Sequence, residues 1–202
     1  VTYCAVGNRC AVDFTDLQLT IPPDKCLEIL RQKGFREIKV NLVELARKCV
    51  SVSKYRRGAR LDESPQVFDC SSFIKWLYGQ KGIWLPRRGI QQREFGVPVN
   101  REKIKAEDLV FVSGYIDYYS TNPKDGVGHI GIATGDGTII HAANSKLGVI
   151  ESSFEDFVSK GFRGIRRIVP DGHLVHTLIT PDERGVEWSD DIRWIILQEP
   201  RK

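Results

Sequence analysis

The chain has 202 residues, 41% of them hydrophobic and 28% charged, with a formal net charge of +4. That is one ordinary soluble domain's worth of chain with a real apolar core, and no run approaches the roughly 18 apolar residues of a membrane span. No basic start followed by an apolar block marks a signal peptide, and no zinc-finger spacing, basic–aromatic motif or long basic helix points to nucleic acid.

Residues 1–40 read as an N-terminal extension of unknown role, with a strand at Leu17-Gln18-Leu19-Thr20-Ile21. A helix then starts at Pro22-Pro23-Asp24 and runs to Gly34, with Cys26, Ile29 and Leu30 on its apolar side. Asn41 and Glu44 form a capping-box-like start for a second helix, along which Leu42, Leu45, Ala46 and Cys49 recur with helical period. A basic loop through Tyr55 leads to Phe68-Asp69-Cys70-Ser71-Ser72-Phe73. There Asp69 suits an N-cap, and Phe73/Leu77 and Ile74/Tyr78 stand at i,i+4 spacing.

Strands are expected at Leu109–Val112, Ile130–Thr134, Thr138–Ala142, Val149–Glu151 and Gly164–Val169. Gly135-Asp136-Gly137 makes the tight turn between the second and third of these. Tyr115-Ile116-Asp117-Tyr118-Tyr119 forms an insertion before that hairpin, suited to a substrate-binding loop or to a plain surface loop. Residues 171–202 read as C-terminal strands packed on a core of residues 41–170: the alternation of Leu174, His176 and Leu178 suggests one, and Trp194 with Ile196 another.

Cys70 falls in the first turn of its helix, where free N–H groups and the helix dipole favour a thiolate. Taken alone it reads more readily as a packed core cysteine. The hairpin changes that balance, because two of the four histidines, His129 and His141, lie on it. A histidine can take a thiol proton near neutral pH, and a third polar group can orient that histidine. A helix N-terminus facing a sheet makes the fold class α+β. No cofactor or metal is called for: there is no Cys-x-x-Cys pair, and the histidines are not spaced as helical ligand pairs. His173 and His176 read as solvated or strand residues. The five cysteines, Cys4, Cys10, Cys26, Cys49 and Cys70, allow two disulfides and one free thiol in an oxidising compartment, with Cys4 and Cys10 able to close a small loop.

Phe68–Phe73, Leu85-Pro86-Arg87, Gln91-Gln92, Asp108–Phe111, Gly128–Ile132 and Ile140-His141-Ala142, in that order, make residues 41 to 169 resemble the NlpC-type cell-wall endopeptidases, a papain-like cysteine peptidase family. The resemblance implies a papain-like α+β fold in which the helix bearing the nucleophile packs against an antiparallel sheet. It implies Cys70 as nucleophile, His129 as base and acid, and His141 as the residue that orients His129. It also implies that Tyr55 lines the cleft, that Asp69 and Ser71 help to bind a free substrate amine, and that the bond cut lies between γ-D-glutamate and a diamino acid. Departures from the family pattern, among them Ser72 for a glycine, Tyr55-Arg56-Arg57-Gly58-Ala59 for Tyr-x-x-Gly-Gly, and Arg88-Gly89 where a serine or threonine commonly follows Leu85-Pro86-Arg87, alter the cleft walls.

The expected partners are peptidoglycan stem peptides or muropeptides, with no nucleic acid and no membrane span. The basic clusters at Arg56-Arg57, Arg87-Arg88 and Arg163–Arg167 are either a solvated face or an attraction for an anionic polymer or for wall-peptide carboxylates. Methionine is absent, which suggests a processed or trimmed chain. An export signal could thus have been lost, and the sequence leaves location open: a cell-envelope or secreted place is favoured, with cytoplasmic muropeptide recycling as the alternative. Amidase or acyltransferase chemistry on a related fold would use the same three residues, and a non-catalytic binding module is the further alternative.

Overall fold

The computed structural model describes residues 1–198. In chain order the first elements are β1 (Arg9–Val12), α1 (Pro23–Gln32), β2 (Arg36–Ile38), α2 (Leu42–Cys49), β3 (Lys54–Tyr55), β4 (Val67–Phe68), α3 (Cys70–Gln80), α4 (Gly89–Gln92) and β5 (Val97–Pro98). They are followed by β6 (Leu109–Val112), β7 (His129–Ala133), β8 (Thr138–Asn144), β9 (Gly148–Ser153), α5 (Phe154–Val158), β10 (Phe162–Arg167), β11 (His176–Ile179) and α6 (Ser189–Leu197). The class is α+β, with every sheet antiparallel except the short β3–β4 pair.

The chain forms two compact units. The first gathers Val1–Val40, Tyr78–Trp84 and the segment from Asp171 onwards. Its sheet has the order β1-β11-β2, so a strand from the C-terminal segment lies between two from the N-terminal one. Cys10, Val12, Phe14, Leu30, Leu178, Ile192 and Ile196 make its core. Helix α1 forms as read, with proline at its start, Asp24 in its first turn and Cys26 and Leu30 buried.

Two expectations for this unit are corrected. Residues 17–21 form turns and not a strand. The Asp13 carboxylate accepts from the Thr15 amide and hydroxyl, the Leu17 amide bonds back to the Phe14 carbonyl, and Gln18 takes a φ of 50° that no strand tolerates. Trp194 and Ile196 belong to helix α6. Ile192, Ile195 and Ile196 are its buried apolar positions, an i, i+3, i+4 set that outweighs a two-residue alternation. His176 stands in β11 with Nδ1 2.7 Å from Glu37, whereas His173 lies outside the strands, its Nδ1 3.1 Å from Asp13 and 3.2 Å from Asp16.

The second unit comprises Asn41–Leu77 and Leu85–Pro170. Its sheet runs β5-β10-β6-β7-β8-β9. Val110, Val112, Ala133, Ile139, Phe157 and Ile165 pack on one another as a core cluster. Helix α2 begins with the Asn41 side chain accepting from the Glu44 amide. Along α3, Phe73, Ile74 and Leu77 are fully buried. Each such side chain contributes about 1.5–3 kcal/mol of transfer free energy, so the cysteine at the head of α3 sits on a firmly held helix. All five cysteines are free thiols. Among the described residues, no helix is long and apolar enough to cross a membrane.

Candidate active site

Two walls of the second unit meet at a cleft of about 940 Å³ lined by Tyr55, Asp69, Cys70, Ser71 and His129, among others. The first wall is the start of α3. Asp69 caps the helix: its Oδ1 accepts from the Ser72 amide at 2.8 Å, while the Ser72 hydroxyl accepts from the Asp69 amide at 2.9 Å. Pairing of Tyr55 with Phe68 in the parallel β3–β4 ribbon brings Tyr55 to the same place, half-buried. Cys70 is the first residue of the helix, and the amides of Ser71 and Ile130 approach its sulfur. Ile130 follows His129 in the chain, so the nucleophile candidate and the imidazole candidate sit side by side.

The second wall is the β7–β8–β9 face. Ile132 pairs with Ile140 and Ala133 with Ile139, which puts Gly131 opposite His141 and makes His129 the diagonal neighbour of His141 on one face. Gly131 has to be glycine here, because a Cβ would lie 2.4 Å from Ile139 Cγ2 and 3.2 Å from His141 Cβ. His129 Nε2 and His141 Nδ1 are 2.8 Å apart. The diagonal continues onto β9, where His141 Nε2 is 3.1 Å from Ser152 Oγ. Phe157 backs both rings, with centroids 5.6 Å from His129 and 4.8 Å from His141. His129 Nδ1 has no hydrogen bond among the described residues, and His129 lines the cleft while His141 is buried behind it.

These surroundings set the charges. Burial, reinforced by the Asp69 carboxylate, pushes the Cys70 thiol up to about 11 against the opposing pull of the two amides and Arg87. Burial and the Lys160 ammonium hold His129 down to about 4. Burial, the neighbouring His129 and Lys160 hold His141 down to about 3. The resting pair is therefore a neutral thiol beside a neutral imidazole. The thiolate expected from the helix start is outweighed by desolvation.

Asp69 is already occupied. It accepts from the Gly58 amide at 3.1 Å and from Arg87 Nη1 at 3.1 Å, and Arg87 also donates to Ser71 Oγ at 2.9 Å. Burial acts to raise the Asp69 carboxyl, but the Arg87 hydrogen bonds and charge, with the Ser72 amide, hold it below the usual carboxylate range. Gln92, wholly buried, donates to the Ser71 carbonyl at 3.0 Å and the Pro86 carbonyl at 2.9 Å, tying the loop that carries Arg87 to the cysteine helix.

The NlpC/P60 family pattern matches residues 53–167 of this chain, more than half of it. The chain belongs to the NlpC/P60 family. It is similar to a gamma-DL-glutamyl hydrolase of Bacillus subtilis (strain 168), 34% identical over 129 residues, covering 63% of this chain and 29% of that protein. A probable endopeptidase of Corynebacterium glutamicum is 36% identical over 114 residues, covering 56% of this chain and 47% of that protein. The chain thus spans less than half the length of either curated relative. Among solved structures, the NlpC/p60 domain of the peptidoglycan hydrolase SagA resembles it with a TM-score of 0.51 at 26% identity, over 63% of this chain and 96% of that domain.

The NlpC/P60 segment contains Tyr55, Asp69, Cys70, Ser71, His129 and His141, and the structure gathers these around one cleft, with His141 in the layer behind. Sequence reasoning passed over Ser152, Phe157 and Lys160 of this NlpC/P60 site, and it met Arg87 in the Leu85-Pro86-Arg87 segment without foreseeing its pairing with Asp69. Ser152 was reachable from the hairpin, since it stands opposite Ile139, two residues from His141, and so on the histidine face. The others act through folding contacts that no local pattern carries.

Proposed function

We propose that this protein is a cysteine peptidase that hydrolyses a peptide bond in cell-wall stem peptides. Cys70 is the nucleophile, His129 the general base and acid, and His141 the residue that orients and stabilises His129. The observation that carries this reading is the Cys70 sulfur lying against the Ile130 amide, beside a histidine whose Nε2 is bound to His141 and whose Nδ1 is left for the cleft. Membership of the NlpC/P60 family, together with relatives named as a hydrolase and a probable endopeptidase, supports the same reaction class. The γ-D-glutamyl to diamino acid bond is the favoured target, supported by the glutamyl hydrolase relative.

The neutral resting pair shapes the steps. As Sγ attacks the carbonyl carbon, the thiol proton passes to His129 Nδ1. The imidazolium then donates from Nε2 to His141 Nδ1, and His141 donates from its Nε2 to the Ser152 hydroxyl. That relay lets the positive charge form inside a buried site without a carboxylate. The developing oxyanion is held by the Cys70 amide, which as the first residue of the helix has no intrahelical acceptor. His129 returns the proton to the leaving amine, the thioester forms, and water delivered by His129 hydrolyses it. Tyr55 and Ser71 flank the substrate at this point. Asp69 and Ser71 at the helix start are the groups for a free substrate amine, although the Asp69–Arg87 pair leaves Asp69 little spare negative charge.

The test is mass spectrometry of muropeptides and free stem peptides incubated with the parent and with Cys70→Ala. Cleavage at one bond by the parent, falling at least about 10³-fold in Cys70→Ala with the fold intact, is the expected result. Turnover retained in Cys70→Ala would remove Cys70 from the mechanism. A parent that cleaves nothing while Cys70 still alkylates would turn the assignment towards an amidase or acyltransferase.

A further inference from the structure

The cleft lining is lopsided in charge. It includes Arg57, Arg87, Arg88 and Lys160, and its sole acid among the described residues is Asp69. Asp69 is spent on Arg87, and so cancels that guanidinium and nothing else. Arg57, Arg88 and Lys160 form no ion pair among the described residues. Other basic side chains show what a structural arginine looks like here: Arg167 pairs with Asp108, Arg93 with Asp125, and Arg163 donates to the Gly126 carbonyl. Among the described residues, none of the three cleft cations has a carboxylate or carbonyl partner of that kind.

Two of them converge. Arg57 Nη2 reaches the Tyr118 hydroxyl at 3.4 Å, and the Arg88 guanidinium carbon lies 5.0 Å from the Tyr118 ring centroid. Tyr118 is itself held in place. Its loop is pinned where Asp117 accepts from the Ser113 hydroxyl at 2.6 Å and the Gly114 amide at 2.8 Å, and Tyr118 exchanges backbone hydrogen bonds with Val127. A second pin is steric: a Cβ on Gly128 would lie 2.3 Å from Asp117 Oδ1, so glycine allows the loop to close on the strand that carries His129. Two exposed guanidinium groups held on one phenol can offer a bound carboxylate charge-assisted hydrogen bonds from both sides. Lys160 supplies a separate positive charge near the histidine pair, as its effect on both imidazoles shows.

We infer that the cleft selects peptides bearing free carboxylates beside the scissile bond, with Arg57 and Arg88 as the carboxylate-binding pair on Tyr118 and Lys160 as a second anionic contact. This rests on the peptidase reading above and names its substrate class: acidic stem peptides, as opposed to those in which the glutamyl α-carboxyl is blocked as an amide. Because both arginines are exposed, the selection is sensitive to salt.

The experiment compares L-Ala-γ-D-Glu-L-Lys with the same peptide carrying an α-amide on the glutamyl residue, using the parent, Arg88→Lys and the double variant Arg57→Gln/Arg88→Ser. The expected result is a kcat/KM preference of about tenfold or more for the free acid in the parent, reduced at high salt. Arg88→Lys keeps part of it and the double variant loses it. A parent that cuts both peptides equally overturns the inference and leaves the peptidase reading standing. If neither peptide is cut, the peptidase reading fails for this bond, and Cys70 alkylation decides the inference. In that case the parent should favour iodoacetate over iodoacetamide, relative to a free thiol, and the double variant should lose that bias. The same ratio in both proteins would overturn it.

Discussion

The two walls of the cleft solve the same problem, holding polar groups still in a partly dry place, by opposite means. The cysteine wall uses full charges. Asp69 and Arg87 cancel, and Gly58, Ser71 and Ser72 fill the remaining bonding capacity. The histidine wall uses none: His129, His141 and Ser152 form a neutral diagonal across three strands, backed by Phe157. A cancelled ion pair is rigid and indifferent to moderate pH, so it suits the side that must only hold its shape. A neutral relay can accept a proton and return it, so it suits the side that must change state.

That contrast can be broken in order of effect. His129→Ala removes the proton acceptor and should lower kcat/KM by about 10³-fold or more, with folding retained. His141→Ala leaves the acceptor but frees its ring, and a loss of about 10–100-fold is expected. Equal losses in the two variants would mean that His141 is a second acceptor and not an orienting group. On the other wall, Arg87→Ala strips the counter-charge from a carboxylate that is only 10% exposed. Chemical denaturation should show a loss of about 2 kcal/mol, below the full cost of breaking a buried pair because Arg87 itself reaches solvent.

The pH response sharpens the comparison further. The unfolded chain protonates its imidazoles near 6.5, while burial keeps His129 neutral to about 4 and His141 to about 3. Between those values the unfolded state binds more protons, so stability falls as pH drops below about 6.5, by up to about 1.4 kcal/mol per unit for each imidazole. Thermal unfolding from pH 7 to 4.5 should show this slope, and His141→Asn should flatten it. A parent with no slope would mean that the two rings are not held neutral. The smallest effect is expected of Ser152→Ala, which removes the end of the diagonal: a few-fold loss in kcat/KM that grows as pH falls.

How much of this could be read from residues alone depended on distance along the chain. Asn41 with Glu44 and the alternating strands around His129 and His141 are local signals, and they fold as read. So does Asp69 as a helix cap. The strand expected at 17–21 failed because Asp13 builds a turn from side-chain bonds, a competition that hydrophobic alternation does not register. The helix at Ser189–Leu197 is hidden behind the Trp194–Ile196 alternation, although Ile192, Ile195 and Ile196 recur at helical spacing. At the site, the two histidines and the cysteine announce themselves by residue type. Arg87 and Ser152 do not, since what matters about each is a bond to a residue 18 positions away in one case and 11 in the other. The excess positive charge of the cleft becomes visible only once Asp69 is seen to pair with Arg87, leaving Arg57, Arg88 and Lys160 facing no other acid in its lining.

Phe157 has a consequence of a different kind. It is not placed to touch substrate, yet its ring closes off both imidazoles from the side opposite the cleft. Burial is the first cause of their depressed basicity, and Phe157 is part of the dry backing that provides it. A smaller or more polar residue there would let water in and raise both imidazoles without moving any reacting atom. The working pH of this site is thus adjustable at one position, separately from its chemistry, and a lineage moving between acidic and neutral surroundings has a single place at which to make the change.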